Sequence, residues 1–236
     1  MPTPRPGWRQ WIPRPHVPLP VHRWLSPGPA RHEPTPEEVA TLAAMQAALG
    51  RMADAVRSEV TAVGELLAVV EFPPEPAPDV HKALSRALDA YDAAGRLMDD
   101  VADLVELAGV AVLAGDARVS LAVAAARYRH EPLPALPRPC FFNPLHGRSD
   151  RTAEWRTGYK TTLKVPACTR CRKAIRRGDA PAHLADRAPD GRIVPYYAVD
   201  PAVSVWSATG YGTFHDDLAA RIQRGEHRKR RRTHRS

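Results

Sequence analysis

From Val39 to Val70 apolar side chains recur in steps of three and four: Val39, Leu42, Met45, Leu49, Met52, Val56, Val60, Val63, Leu67 and Val70. The mean step is about 3.5, the repeat of a coiled-coil seam. Thr35 can cap a helix here, Pro36 suits its first position, and Glu38 stands three residues after the cap. The run Phe72-Pro73-Pro74-Glu75-Pro76 ends it, because proline lacks an amide donor and crowds the preceding turn. Asp79 is the expected cap of a second helix. Its seam runs through Val80, Leu84, Ala87, Tyr91, Ala94, Met98, Val101 and Val105. Two such seams across a short turn predict an antiparallel helical hairpin. A break near Asp99–Asp103 precedes a third helix, or a continuation, to about Arg127, weakened by Gly109 and Gly115.

The pattern changes after residue 139. Over 152–157 and 159–165 apolar and polar residues alternate. Trp155, Tyr159, Leu163 and Val165 fall on one face, and Arg156, Lys160, Thr162 and Lys164 on the other. Gly158 marks the turn of a β-hairpin. A short helix is expected over 169–177, stopped by Gly178. Strands are expected over 193–199 and around Val203–Trp206, and a last helix from about Thr213, with Leu218 and Ile222 inward. Tyr196, Tyr197, Trp206 and Tyr211 are expected in the core.

Proline and charge divide the chain further. Residues 1–36 hold eleven of the 25 prolines, which excludes regular ladders and predicts extended or disordered chain. Trp8, Trp11 and Trp24 lie in this arm and suggest that it docks on something. The net charge of +8 is unevenly spread: +4 over 1–35, −8 over 36–127, +7 over 128–224 and +5 over 225–236. The fold expected is α+β, in five parts. A disordered arm (1–35) leads to an acidic helical hairpin or three-helix domain (36–127). A proline-rich linker (128–139), a small α+β module (140–224) and a disordered basic tail (225–236) follow. Asp99, Asp100, Asp103 and Glu106 form an acidic cluster, read as a solvated face or as a dock for a basic partner, including the chain's own tail. No secretory leader is seen, the run Leu107–Gly115 is too short to span a membrane, and three cysteines do not make a disulfide framework. A cytoplasmic location is expected.

The chemistry concentrates in the module. Cys140-x5-His146 is followed, twenty-one residues later, by Cys168-x2-Cys171. Thiolates and an imidazole are the ligands of a closed tetrahedral zinc site, and a two-residue spacing lets both sulfurs reach one ion. The competing readings are three ordinary thiols and a redox pair; no βαβ pattern surrounds the latter. The order knuckle, hairpin, helix resembles a treble clef, with one departure: its first two ligands are usually two residues apart, not five. The segment Cys-Phe-Phe-Asn-Pro-Leu-His-Gly at 140–147 resembles segments of uncharacterised actinobacterial proteins. So do Val165–Cys168, Pro195–Tyr197 and Val205–Gly212. The resemblance covers about residues 100–224 and implies no activity.

A polyanion-binding surface is the second candidate. It comprises Arg170, Arg172, Lys173, Arg176 and Arg177 on the expected helix, and Arg228, Lys229, Arg230, Arg231, Arg232 and Arg235 in the tail. Nothing among them reads bases, so nucleic acid would be held with little sequence preference. The hairpin has no histidine and the helix neither histidine, asparagine nor acid, which argues against a metal-dependent treble-clef nuclease. No nucleophile motif, phosphate loop or dinucleotide fingerprint is present. The expected function is a non-enzymatic, zinc-stabilised interaction protein. Its expected partners are nucleic acid or an acidic protein, with self-association through the helices. The rival readings are a purely protein–protein scaffold and a thiol-redox protein.

Overall fold

The computed structural model describes residues 35–71, 75–156 and 162–233. The first seam forms helix α1, Pro36–Val69, and the second seam forms α2, Pro78–Met98. The cap of α2 is Ala77, with Pro78 at its first position, so Asp79 falls inside the first turn rather than before it. The expected break is real: after residues 99–103, Asp103 caps α3, Leu104–Tyr128, and accepts hydrogen bonds from the amides of Val105 and Glu106 at 3.0 Å. Among the described residues, 35–43, the first turns of α1, belong to one unit and those from Ala44 onward to the other.

In the larger unit α2 and α3 pack by small residues. Ala87, Ala90, Ala93 and Ala94 of α2 and Ala108, Ala114 and Ala117 of α3 are fully or nearly buried. Alanine faces bring backbones close, and Val56 and Val63 of α1 fill the remaining seam. Glu59 of α1 accepts from Arg118 of α3 at 2.7 Å. By length and composition α3 is apolar enough to cross a membrane, which Leu107–Gly115 alone did not suggest. Most of its apolar face is buried inside the protein, as in a core helix.

The second half adds three two-stranded antiparallel ribbons. Strands β1 (Arg138–Pro139) and β2 (Arg148–Ser149) pair, as do β3 (Thr152–Arg156) and β4 (Thr162–Pro166). The expected hairpin has Trp155 opposite Leu163 and Ala153 opposite Val165, all turned to the core. Its turn, with Tyr159 and Lys160, lies outside the described residues. Helix α4, Thr169–Arg176, follows, then β5 (Ala185–Arg187) paired with β6 (Ile193–Pro195). These helices and small ribbons make the fold α+β.

Three expectations are corrected. The strand over 193–199 ends at Pro195, and Tyr196–Ala198 turn into a 3-10 helix. The segment near Val203–Trp206 is helix α5, Val205–Thr209, not a strand. Its buried hydroxyls bond locally, Ser207 to the Ser204 carbonyl at 3.0 Å and Thr209 to that of Val205 at 2.8 Å. Gly210, at φ 55°, ends it in the left-handed conformation that glycine adopts without strain. The last two helices are α6, Leu218–Gln223, and α7, Arg228–Thr233. Within the tail expected to be disordered, residues 228–233 are therefore helical.

The linker at 128–139 does not separate two cores. One apolar cluster runs from Val56, Leu97, Val105 and Leu113 of the helices into Cys140, Phe141, Phe142, Val165, Tyr196, Trp206 and Tyr211. Trp206 stacks on Tyr211 at 5.2 Å, and the Tyr211 hydroxyl donates to the Val105 carbonyl at 2.7 Å. A Cβ at Gly109 would collide with the Trp206 ring, so this glycine of α3 sets how closely the module approaches the helices. The expected arm of 1–35 lies almost wholly outside the described residues.

Candidate metal centre

The centre is assembled from a loop and a helix start. Strands β1 and β2 bracket residues 140–147, and the Cys140 amide donates to the Gly147 carbonyl at 3.0 Å, closing the loop. Inside it the Asn143 side chain accepts from the Leu145 amide at 3.0 Å and caps the 3-10 turn Pro144–His146. Gly147, at φ 87°, turns the chain back. The 3-10 turn takes up the residues that make the Cys140–His146 spacing five instead of two.

The other two ligands come from the end of the hairpin. Ala167 donates to the Arg151 carbonyl, and Phe141 to the Pro166 carbonyl at 2.9 Å, which docks the loop against β4. Cys168 then occupies the cap of α4 and Cys171 its first turn. Residue spacing on one helical turn brings both sulfurs to the same side.

The ligand atoms of Cys140, His146, Cys168 and Cys171 all lie within 4.8 Å of one another. The His146 Nδ1 is 3.5 Å from the Cys171 sulfur and 3.8 Å from that of Cys168. A tetrahedron with zinc–sulfur and zinc–nitrogen bonds of about 2.3 and 2.0 Å has nitrogen–sulfur edges of about 3.5 Å. These four residues can therefore hold a metal ion, and the donor set of three sulfurs and one imidazole fits it. Cys140 and Cys171 are buried and Cys168 half-buried.

Electrostatics point the same way. At Cys168 burial opposes ionisation, but the amides of Cys171 and Arg170 and the thiols of Cys171 and Cys140 outweigh it, lowering the pKa. Burial, and then the negative charge of Cys140 and Cys168, push the Cys171 thiol far up. Three converging thiolates repel unless a cation sits among them. Burial, and then the charge of Arg170, lower the pKa of His146, favouring the neutral imidazole that metals bind.

The basic candidates divide. Arg170, Lys173 and Arg176 are exposed on α4. Arg177 is exposed but pairs with Asp179 at 2.8 Å. Arg172 is half-buried, with Nη2 on the Thr169 hydroxyl at 3.3 Å, and does not join the open face. Arg228, Lys229 and Arg232 are exposed on α7. Arg235 lies outside the described residues.

Arg230 and Arg231 turn inward, which corrects the reading of the whole tail as a polyanion-binding surface. Arg230 Nε reaches both Asp186 oxygens at 2.9 Å, and Nη2 reaches Asp103 at 2.8 Å. Arg231 binds Glu106 at 2.6 Å and also Asp100. The acidic cluster near 99–106 is thus a dock for the chain's own tail, one of the two readings of that cluster. Asp186 was missed: between Ala185 and Arg187 it gives no hydropathy signal, and its burial follows from its long-range pairing with Arg230.

No family model, no curated protein and no solved structure matches this chain.

Proposed function

We propose that this chain is a non-enzymatic interaction protein whose second half is stapled by a structural zinc ion. The convergence of three sulfurs and one imidazole within 4.8 Å, with His146 at a tetrahedral edge distance from two of the sulfurs, from two segments about twenty residues apart, carries this reading. Four protein ligands leave no open position for substrate or water, which suits a structural ion rather than a catalytic one. The ion ties the 140–147 loop to α4 in a treble-clef-like arrangement. A separate groove of about 480 Å³ runs along α2, α3 and residues 136–139; neither histidine nor cysteine lines it. The zinc-bound helix then presents Arg170, Lys173 and Arg176 to an acidic partner, nucleic acid being the polyanion chosen for the test.

Elemental analysis of the purified full chain tests the staple. One zinc per chain is expected, replaced by cobalt with the spectrum of a tetrahedral three-sulfur, one-nitrogen site, and lost in Cys171→Ser. Protein that carries no divalent metal, with three thiols equally reactive before and after chelator, would sink it. The partner reading is tested separately on metal-loaded protein. Replacing Arg170, Lys173 and Arg176 by glutamate should abolish retention on nucleic acid at low salt, after a wild-type salt slope of about −0.9 per phosphate neutralised. No wild-type retention, or a variant that behaves like wild type, removes that partner and leaves the zinc module standing.

A further inference from the structure

The seam of α1 has two fates. From Val56 onward it is covered: Val56 and Val63 are buried, and Val60 and Leu67 are packed against the same core. Before Val56 it is bare. Met45 is 58% exposed, Leu49 42% and Met52 37%. Every residue from Ala44 to Met52 is exposed, so nothing among the described residues buries this part of the helix.

Such a segment does not hold itself. Isolated helices of this length are marginal in water, and what stabilises an exposed one is usually a ladder of opposite charges three or four residues apart. None is possible here, because residues 39–50 contain no charged residue. The segment instead carries an apolar stripe, Met45, Leu49 and Met52, in the register of Val56 and Val63 and flanked by alanines. That is a coiled-coil half-seam, continuous with the one the protein already buries.

A neutral stripe offers nothing to a charged partner and is complementary to itself. A two-fold pair needs only one self-complementary patch. The direction of the pair follows from the burial. Beyond Met52 the seam is filled by α2 and α3, so a partner helix can follow it only up to that point. A parallel pair would bring two folded bodies to the same end of the seam. An antiparallel pair places them at opposite ends and leaves the bare halves to cover one another. We infer that the chain forms an antiparallel two-fold dimer through the Met45, Leu49 and Met52 face of α1. The inference does not depend on the metal centre.

Sedimentation of the full, metal-loaded chain from low micromolar to several hundred micromolar reads it directly. A species of twice 26.0 kDa is expected to grow with concentration. Leu49→Glu, which puts two facing carboxylates in the seam, should weaken it by on the order of a hundredfold. Leu88→Glu, on α2 and equally exposed, should leave it unchanged. Leu49 is exposed, so unchanged circular dichroism and metal content show that its variant stays folded. A photo-crosslinker at Met52, read in the band of doubled mass after trypsin, gives the direction. Capture of the peptide spanning 32–51 supports the antiparallel pair, and capture of 52–57 overturns it. A chain that stays monomeric at all concentrations overturns the inference. So does a monomer that dimerises only when residues 1–34 are removed, since the arm would then be the stripe's cover.

Discussion

Replacing Arg230 by methionine should be among the most damaging single changes in the C-terminal half. The side chain keeps its length and loses its charge. What remains is Asp186, buried, deprived of a two-oxygen grip at 2.9 Å, with the Arg187 amide at 2.7 Å still donating to it. Asp103 loses its partner at 2.8 Å, and Glu106, also buried, loses the nearby charge at 3.9 Å. Removing one member of a buried ion pair costs about 3–5 kcal/mol, because the stranded charge has no water to turn to. Against a typical stability of about 5–15 kcal/mol this is about a fifth or more of the total. Arg231→Met should cost less, about 1–3 kcal/mol, since Glu106 keeps the Ala102 amide at 2.8 Å. Breaking the exposed Arg177–Asp179 pair should cost under about 1 kcal/mol. Urea unfolding of the metal-loaded chain, followed by near-ultraviolet circular dichroism of the buried aromatics, measures all three. The combined variant Asp186→Leu, Arg230→Met should recover the part of the loss due to Asp186, because that carboxylate is no longer stranded, while Asp103 and Glu106 still lack the guanidinium. The reasoning fails if Arg230→Met costs no more than the exposed pair, or if the double variant is no better than the single.

Two further outcomes follow from the same packing. Burial is the main reason the pKa of His227 is lowered, partly offset by Glu106, and its Nδ1 has no partner among the described residues. The unfolded chain therefore binds a proton that the folded chain resists, so stability should fall as pH drops through the ordinary histidine value of about 6.5. His227→Gln should flatten that slope between about pH 7 and 5, and an unchanged slope would assign it to other groups. Gly109→Ala drives a Cβ into Trp206 and should cost about 1–3 kcal/mol, whereas Gly95→Ala, with nothing within 4 Å, should gain about 0.5–1 kcal/mol. Equal effects at the two glycines in thermal unfolding would refute the close approach of α3 to α5.

What was legible in the chain was whatever depends on near neighbours. The spacing of Val56, Val60 and Val63 gives α1, the proline run ends it, the alternation around Trp155 and Leu163 gives the hairpin, and Cys168-x2-Cys171 gives half a metal site. His146 was harder, because its spacing to Cys140 makes sense only once Pro144–His146 is a 3-10 turn that absorbs the extra residues. What could not be read was where charges end up. Arg230 stands in a run of cations and Asp186 in a polar strand, and each alone belongs on the surface. They are buried because they meet, forty-four residues apart, with Asp103 closing the same guanidinium from the far side of the sequence. The acidic helices and the basic tail are opposite charge blocks, and the pattern admits both an external polyanion and an internal contact. Burial decides between them residue by residue. Charge that is satisfied inside, at Arg230 and Arg231, is spent on closing the fold, whereas candidates such as Arg170, Lys173, Arg176, Arg228 and Lys229 stay exposed to water. A net charge of +8 therefore overstates the surface this protein offers to an anion. The exposed side of α4 carries Arg170, Lys173 and Arg176, and its buried side carries Cys171.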